Sequence, residues 1–144
     1  MRTELDMRLC EKYPKIFADR GADMRSTAMC WGFECGDGWY WLIDQLCGLL
    51  QGRIDANPHL NIPQPIAVQI KEKFGGLRFY VTTADEQTYG MIDFAEHLSN
   101  SICEECGTTI DVGRTNGWIM TICKPCFDKS EPPISHRTWK SNYE

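Results

Sequence analysis

The sequence predicts an α+β fold: a single small domain in which a central β-hairpin packs on helices, with a zinc ribbon at the C-terminal end. Three observations support this prediction: helical spacing of apolar residues in three segments, alternation across residues 66–83, and two Cys-x-x-Cys pairs between residues 103 and 126. The 144 residues suffice for one domain with its own core. We expect the core at 1–102, the ribbon at 103–130 and a loosely held tail at 131–144.

Three segments have the apolar spacing of amphipathic helices. The first covers residues 3–18, and Pro14 is expected to break or kink it. The second covers residues 39–50, and the carboxylate of Asp37 is expected to cap its first turn. The third covers residues 85–101 and leads directly into the first cysteine pair.

Alternating apolar and polar residues predict a β-hairpin over residues 66–83. The predicted turn is Gly75-Gly76, because glycine adopts the positive φ angles of a tight hairpin turn without strain. The face expected to lie in the core consists of Ile66, Val68, Ile70, Phe74, Leu77, Phe79 and Val81. The face expected to point to solvent consists of Ala67, Gln69, Lys71, Lys73, Arg78, Tyr80 and Thr82.

Two Cys-x-x-Cys pairs, separated by sixteen residues, predict one structural zinc site with Cys103, Cys106, Cys123 and Cys126 as ligands. Zinc binds four thiolates in a tetrahedron, and a site filled in this way has no open position for water. Turn-forming residues and an apolar run at 118–122 predict a small hairpin between the pairs. Four free cysteines, or a redox role for one pair, are the alternative interpretations.

The remaining cysteines and the histidines form no recognised ligand spacing. The cysteines upstream of the ribbon are Cys10, Cys30, Cys35 and Cys47. A second metal site among them is an open alternative, although buried thiols that behave as small apolar groups explain them more simply. The histidines are His59, His97 and His136. We interpret each of them as a surface or packing residue.

The charge distribution bears on nucleic-acid binding. A net charge of −5 argues against a general nucleic-acid binder, because phosphate contacts need clustered lysines and arginines. Residues 66–83 nevertheless carry three basic residues against one acidic residue. A nucleic-acid-binding zinc-ribbon module is therefore the second functional hypothesis, with candidate contacts at Lys71, Lys73, Arg78 and Tyr80.

The motif content favours a binding protein over an enzyme. The sequence contains no phosphate-binding loop, no metalloprotease motif and no nucleophile elbow, so we assign no catalytic residue. An enzyme that uses residues 30–44 remains a third hypothesis. No apolar run is long enough to span a membrane and the first residues lack a signal peptide, so we expect a cytoplasmic protein. Exposed aromatic residues favour interfaces, and a small core cannot easily bury all of Trp31, Trp39, Trp41, Trp118 and Trp139.

Cys-Gly-Asp-Gly-Trp at residues 35–39, the hairpin sequence at 68–80 and the cysteine pairs with Gly117-Trp118 resemble a family of small uncharacterised bacteriophage and prophage proteins. The resemblance extends over residues 13–127. It implies an accessory protein in the cytoplasm of the host cell. Such a protein is expected to bind a host protein, such as a defence effector or RNA polymerase, and to change its activity, most simply by inhibition. It implies no functional residues.

Overall fold

Helices and two small sheets make up the chain, and the α+β class predicted from the sequence is confirmed. The computed structural model describes residues 1–130 and 137–142. The helices of this part are α1 (Thr3–Lys12), α2 (Tyr40–Ala56), α3 (Glu86–Ser99) and α4 (Lys124–Lys129). Its strands are β1 (Phe33–Glu34), β2 (Ala67–Lys73), β3 (Gly76–Val81), β4 (Val112–Thr115), β5 (Thr121–Cys123) and β6 (Trp139–Ser141).

The first sheet has the strand order β1-β2-β3. β1 runs parallel to β2, and β2 pairs antiparallel with β3. Ile70 lies opposite Phe79 and Lys71 lies opposite Arg78. The first pair is buried in the core, whereas the second is half-buried on the outer face. The two faces therefore have the predicted assignment in the middle of the paired strands.

The predicted faces are wrong at the start of β2. The pairing with β3 shifts between Ala67 and Gln69, so that Ala67 is fully buried while Ile66 and Val68 are only half-buried. A β-bulge adds one residue to one strand and reverses the alternation on either side of it. Such a shift depends on the partner strand, and the alternation of one strand does not reveal it.

The hairpin turn lies one residue earlier than predicted. Lys73 pairs with Gly76, so the two turn residues are Phe74 and Gly75, with φ of 55° and 77°. Two positive φ angles match a type I′ turn, whose twist fits the right-handed twist of the strands. Phe74 therefore stands at the tip of the hairpin with 66% of its surface exposed, and not in the core as predicted.

The helices differ from prediction mainly at their ends. α1 ends at Lys12, because Pro14 cannot continue the helix and Tyr13 takes a non-helical conformation. α2 continues six residues past the predicted end at residue 50. Asp37 does not cap it: the Asp37 carboxylate accepts hydrogen bonds of 2.7 Å from the backbone N–H and the guanidinium of Arg2.

Ionic contacts align α2 with α3. Asp85 caps α3 by accepting a hydrogen bond from the backbone N–H of Thr88 at 2.9 Å. The Arg53 guanidinium binds the same carboxylate at 3.0 and 2.5 Å, and this contact holds the pKa of Asp85 well below its usual range. Because Arg53 lies near the end of α2 and Asp85 just before α3, the contact joins the C-terminal end of α2 to the N-terminal end of α3.

The second sheet belongs to the C-terminal part and has the strand order β5-β4-β6. The apolar run at 118–122 was predicted as a strand, but only its last two residues belong to β5. Trp118 and Ile119 instead lie in the connection between β4 and β5. The tail was expected to be loose, yet Trp139–Ser141 forms β6 and pairs with β4. The remaining tail residues, 131–136 and 143–144, lie outside the described residues.

The buried apolar side chains form two clusters. The larger one collects side chains from residues 9–102, including the fully buried Trp39. The smaller one contains Cys103, Val112, Ile122 and Cys123. Within the described part of the chain, no helix has both the length and the apolar character needed to cross a bilayer.

Candidate metal centre

The four ribbon cysteines converge on one point. The sulfurs of Cys103, Cys106, Cys123 and Cys126 all lie within 4.8 Å of one another, and the Cys106 and Cys123 sulfurs are 3.7 Å apart. In a tetrahedral site with metal–sulfur bonds of about 2.3 Å, the sulfurs are separated by about 3.8 Å. The cluster therefore has the dimensions of a four-thiolate metal site and can hold one metal ion.

Two tight turns present these sulfurs. In the first, the Gly107 N–H donates to the carbonyl of Cys103 at 2.8 Å, and Gly107 has φ of 78°, which glycine adopts most easily. In the second, Cys123 ends β5 and directly precedes α4, so that Cys126 lies in the first turn of that helix. Each pair thus comes from one backbone bend, as the Cys-x-x-Cys spacing predicts.

Backbone N–H groups point at the sulfurs of Cys103 and Cys106. Burial raises the pKa of Cys103, and the N–H groups of Cys123, Cys106 and Glu105 oppose this increase. Burial also raises the pKa of Cys106, but the N–H of Thr108 and the neighbouring thiols outweigh it and bring the pKa below its ordinary value. Donors placed in this way stabilise thiolates, the form in which cysteine binds metal ions.

The Cys-Gly-Asp-Gly-Trp segment supports the first cysteine turn. The Gly38 N–H donates to the Glu104 carbonyl at 2.7 Å, and the Trp39 indole N–H donates to the Ile102 carbonyl at 3.0 Å. A Cβ on Gly38 would lie closer than 3.0 Å to the Cys103 carbonyl oxygen, so only glycine permits this approach. Residues 35–39, which form part of the 30–44 segment of the enzyme hypothesis, therefore have a structural explanation.

Glu104 also joins the core to the ribbon. Its side chain is buried and accepts a hydrogen bond from the Gly36 N–H at 2.9 Å. Burial raises the pKa of this carboxyl group. The contact orients the first cysteine turn against the core, because Glu104 directly follows Cys103 of the cysteine cluster.

The hairpin tip forms a second junction with the ribbon, which the sequence analysis did not predict. The Thr121 hydroxyl donates to the Gly75 carbonyl at 2.5 Å, and the Arg114 guanidinium donates to the Phe74 carbonyl. Beside this junction lies a groove of about 400 Å³, which we call the tip groove. Its lining residues are Glu72, Lys73, Phe74, Gly117, Trp118 and Ile119.

The sequence does not reveal the tip groove, because its two halves are remote along the chain. Phe74 and Trp118 are each 66% exposed. The strand alternation assigned Phe74 to the core, and Trp118 was assigned to a strand. The signal available in the sequence was the surplus of tryptophans, which indicates exposed aromatic surface without locating it.

The candidate nucleic-acid contacts share the outer face of the hairpin. Lys71, Lys73, Arg78 and Tyr80 all alternate onto this face. Arg78, however, is 3.7 Å from the Glu96 carboxylate and donates to the Leu77 carbonyl at 2.6 Å. The Lys71 ammonium lies 5.8 Å from the centre of the Tyr80 ring. The Arg78 guanidinium therefore already has partners, and the Lys71 ammonium lies over the face of the Tyr80 ring that would stack on a base.

The other cysteines do not assemble a second centre. Among residues 1–130 and 137–142, Cys10, Cys30, Cys35 and Cys47 belong to no group of three or more metal-ligating side chains. Burial raises the pKa of Cys10 and of Cys35 to about 12 and raises that of Cys47 well above its ordinary value. These three thiols are protonated at neutral pH. The two histidines in the described residues are exposed, and His136 lies outside them.

A scan against protein-family models, a search of curated proteins and a search of solved structures each found no match to this chain.

Proposed function

We propose that this chain is a non-enzymatic binding protein, in which one structural zinc ion holds a ribbon that forms half of a protein-binding groove. The four thiolate donors support zinc, which prefers soft ligands in a tetrahedron. Four thiolates leave no position for a reacting water, so the ion has a structural role. The ligands must be reduced to bind the metal, which fits the cytoplasm.

The observation that carries the binding proposal is the tip groove. Two large aromatic side chains from different parts of the chain, Phe74 and Trp118, line this groove and remain mostly exposed. Aromatic side chains are enriched at the energetic centres of protein interfaces. The hydrogen bond from Thr121 to Gly75 ties the hairpin to the ribbon, so the groove is formed before a partner binds.

Charges around the tip groove indicate the chemistry of the partner. Lys73 lines the groove, its ammonium lies 5.5 Å from the centre of the Phe74 ring, and Arg114 contacts the backbone at the same tip. Glu72 also lines the groove, and its carboxylate accepts a hydrogen bond of 2.5 Å from the Gly75 N–H within the hairpin turn. A protein segment with an apolar anchor between Phe74 and Trp118 and an acidic residue placed against Lys73 complements this surface.

The resemblance to small phage and prophage proteins supports a bacterial host protein as the partner. A defence effector or RNA polymerase is a target of the expected kind. Occupation of a functional surface on that target would inhibit it without any catalysis by the bound chain.

Replacing Trp118 by alanine is expected to weaken partner binding by about 30-fold or more, as loss of a central aromatic residue does at many interfaces. The wild-type chain is used to capture partners from a bacterial lysate, and calorimetric titration with the captured protein gives the affinity. Trp31→Ala is the matched control, because Trp31 is 63% exposed and lies outside the tip groove. Equal affinities of wild type and Trp118→Ala would contradict the proposal.

Nucleic acid is the second candidate partner, because the outer face of the hairpin carries Lys71, Lys73 and Tyr80. We expect weak or no binding of the wild type to single-stranded DNA or RNA in a mobility-shift assay at about 50 mM salt. If binding is observed and Lys71→Glu with Arg78→Glu abolishes it while the fold persists, the nucleic-acid function replaces the protein-binding one. If the double variant bound nucleic acid as well as the wild type, the outer face of the hairpin would have no role in that binding.

A further inference from the structure

The outward side of the α2–α3 pair is an unpartnered apolar groove. Its floor is made by buried residues such as Leu46 and Ala95, and its rims include Leu49 and Phe94. Leu49 is 55% exposed and Phe94 is 63% exposed. None of the residues that line this groove is charged. Large apolar side chains are usually buried, so an exposed row of them on two packed helices indicates a contact surface.

Two glycines flank the same groove. Gly52 in α2 and Gly90 in α3 lie inside helices, and a Cβ on either would meet no atom within 4 Å. Glycine destabilises a helix interior relative to alanine, and no packing among the described residues requires it at these positions. Gly52 follows Leu49 by three residues and Gly90 precedes Phe94 by four, so each glycine lies beside a projecting side chain on its helix.

The projecting side chains, Leu49 and Phe94, and the recesses left by the two glycines lie near the same end of the helix pair. Arg53 near the end of α2 binds Asp85 and Thr88 at the start of α3. Gly52 and Gly90 therefore lie near the same end of the helix pair. We define the helix face as Leu49, Gly52, Gly90 and Phe94 with the groove between them. It shares no residue with the tip groove.

We propose that the helix face binds a second copy of this chain, related by a two-fold axis, so that two α2–α3 pairs form a four-helix contact. A two-fold interface uses the same patch on both copies and must be self-complementary. The helix face meets this condition, because it carries both projecting side chains and glycine recesses that can receive them. Its uncharged lining lets two chains of net charge −5 meet without like charges at the centre of the contact.

The size of the face agrees with a modest dimer. α2 has 17 residues and is therefore about 25 Å long. Two helices about 10 Å apart then present a surface on the order of 500 Å², somewhat below the roughly 800 Å² that each partner buries in a standard interface. Trp41, at the start of α2 and 63% exposed, extends the surface. We therefore expect a dimer that dissociates in the micromolar range.

Sedimentation velocity on the zinc-loaded full chain, from about 1 μM to about 200 μM, tests the proposal. The wild type is expected to change from monomer to dimer across this range. Phe94→Glu is expected to raise the dimer dissociation constant by about 1,000-fold, because both copies lose a central aromatic residue. Tyr89→Glu is the control on the same helix, since Tyr89 is 45% exposed and lies outside the groove. Its dissociation constant should stay within about 3-fold of the wild type.

A second variant separates the dimer contact from effects on folding. Gly90→Ala is expected to raise the thermal stability of the monomer, because alanine favours the helix, and at the same time to weaken the dimer by filling the recess. The proposal is overturned if the wild-type protein stays monomeric throughout this concentration range. This holds even if the helix face then binds an amphipathic helix of another protein. Dimers unaffected by Phe94→Glu would also overturn it. None of these outcomes depends on binding at the tip groove, which Trp118→Ala tests separately.

Discussion

Replacing Cys123 by serine is expected to release the metal ion and to unfold the ribbon. The serine oxygen is a poor substitute for a thiolate, and sites of this type contribute on the order of 10 kcal/mol of apparent binding free energy that is coupled to folding. Cys123 joins β5 to α4, so loss of its metal bond disconnects the second sheet from the first cysteine turn. Elemental analysis should show one zinc ion per wild-type chain and none per variant chain.

Hydrogen exchange gives the structural readout for the same variant. Amides of β4, β5 and β6 should lose protection, while those of β2 and α3 should keep part of theirs, because the larger apolar cluster is built from residues before the ribbon. Cys30→Ser is the control, since Cys30 is half-buried and lies outside the metal cluster. A wild-type ribbon that is native without metal, or a disulfide between Cys103 and Cys126, would refute the zinc site.

Replacing Gly38 by alanine is expected to destabilise the protein by at least about 3 kcal/mol, the upper part of the range for overpacking. The new Cβ would lie closer than 3.0 Å to backbone atoms of Cys103, Glu104 and Gly107. These atoms cannot retreat without moving the ligand sulfurs, so zinc affinity should fall together with stability. Urea unfolding and competition with a zinc chelator measure the two effects.

Gly21→Ala provides the comparison for this substitution. A Cβ on Gly21 would meet no atom within 4 Å, so the free energy of unfolding of Gly21→Ala should remain within about 0.5 kcal/mol of the wild type. If Gly38→Ala were as stable as Gly21→Ala and bound zinc equally well, the proposed support of the first cysteine turn by the Cys-Gly-Asp-Gly-Trp segment would be wrong.

Features with a local physical cause could be predicted from the sequence alone. The spacing of the two Cys-x-x-Cys pairs identified a four-cysteine cluster, because each pair needs only one tight turn to present two sulfurs. The α+β class followed from a change of apolar period between helical segments and the alternating segment around Ile70 and Phe79. Asp85 at the start of α3 fits a capping pattern that acts within one helical turn.

Features that depend on remote partners were decided only by the tertiary structure. The register shift between Ala67 and Gln69 and the turn at Phe74 follow from the pairing of β2 with β3, and a shift of one residue reverses which side chains are buried. Gly38 is required because the cysteine turn, more than sixty residues later, packs against it. The tip groove likewise exists only where the hairpin meets the ribbon, since Phe74 and Trp118 are brought together by hydrogen bonds between distant segments.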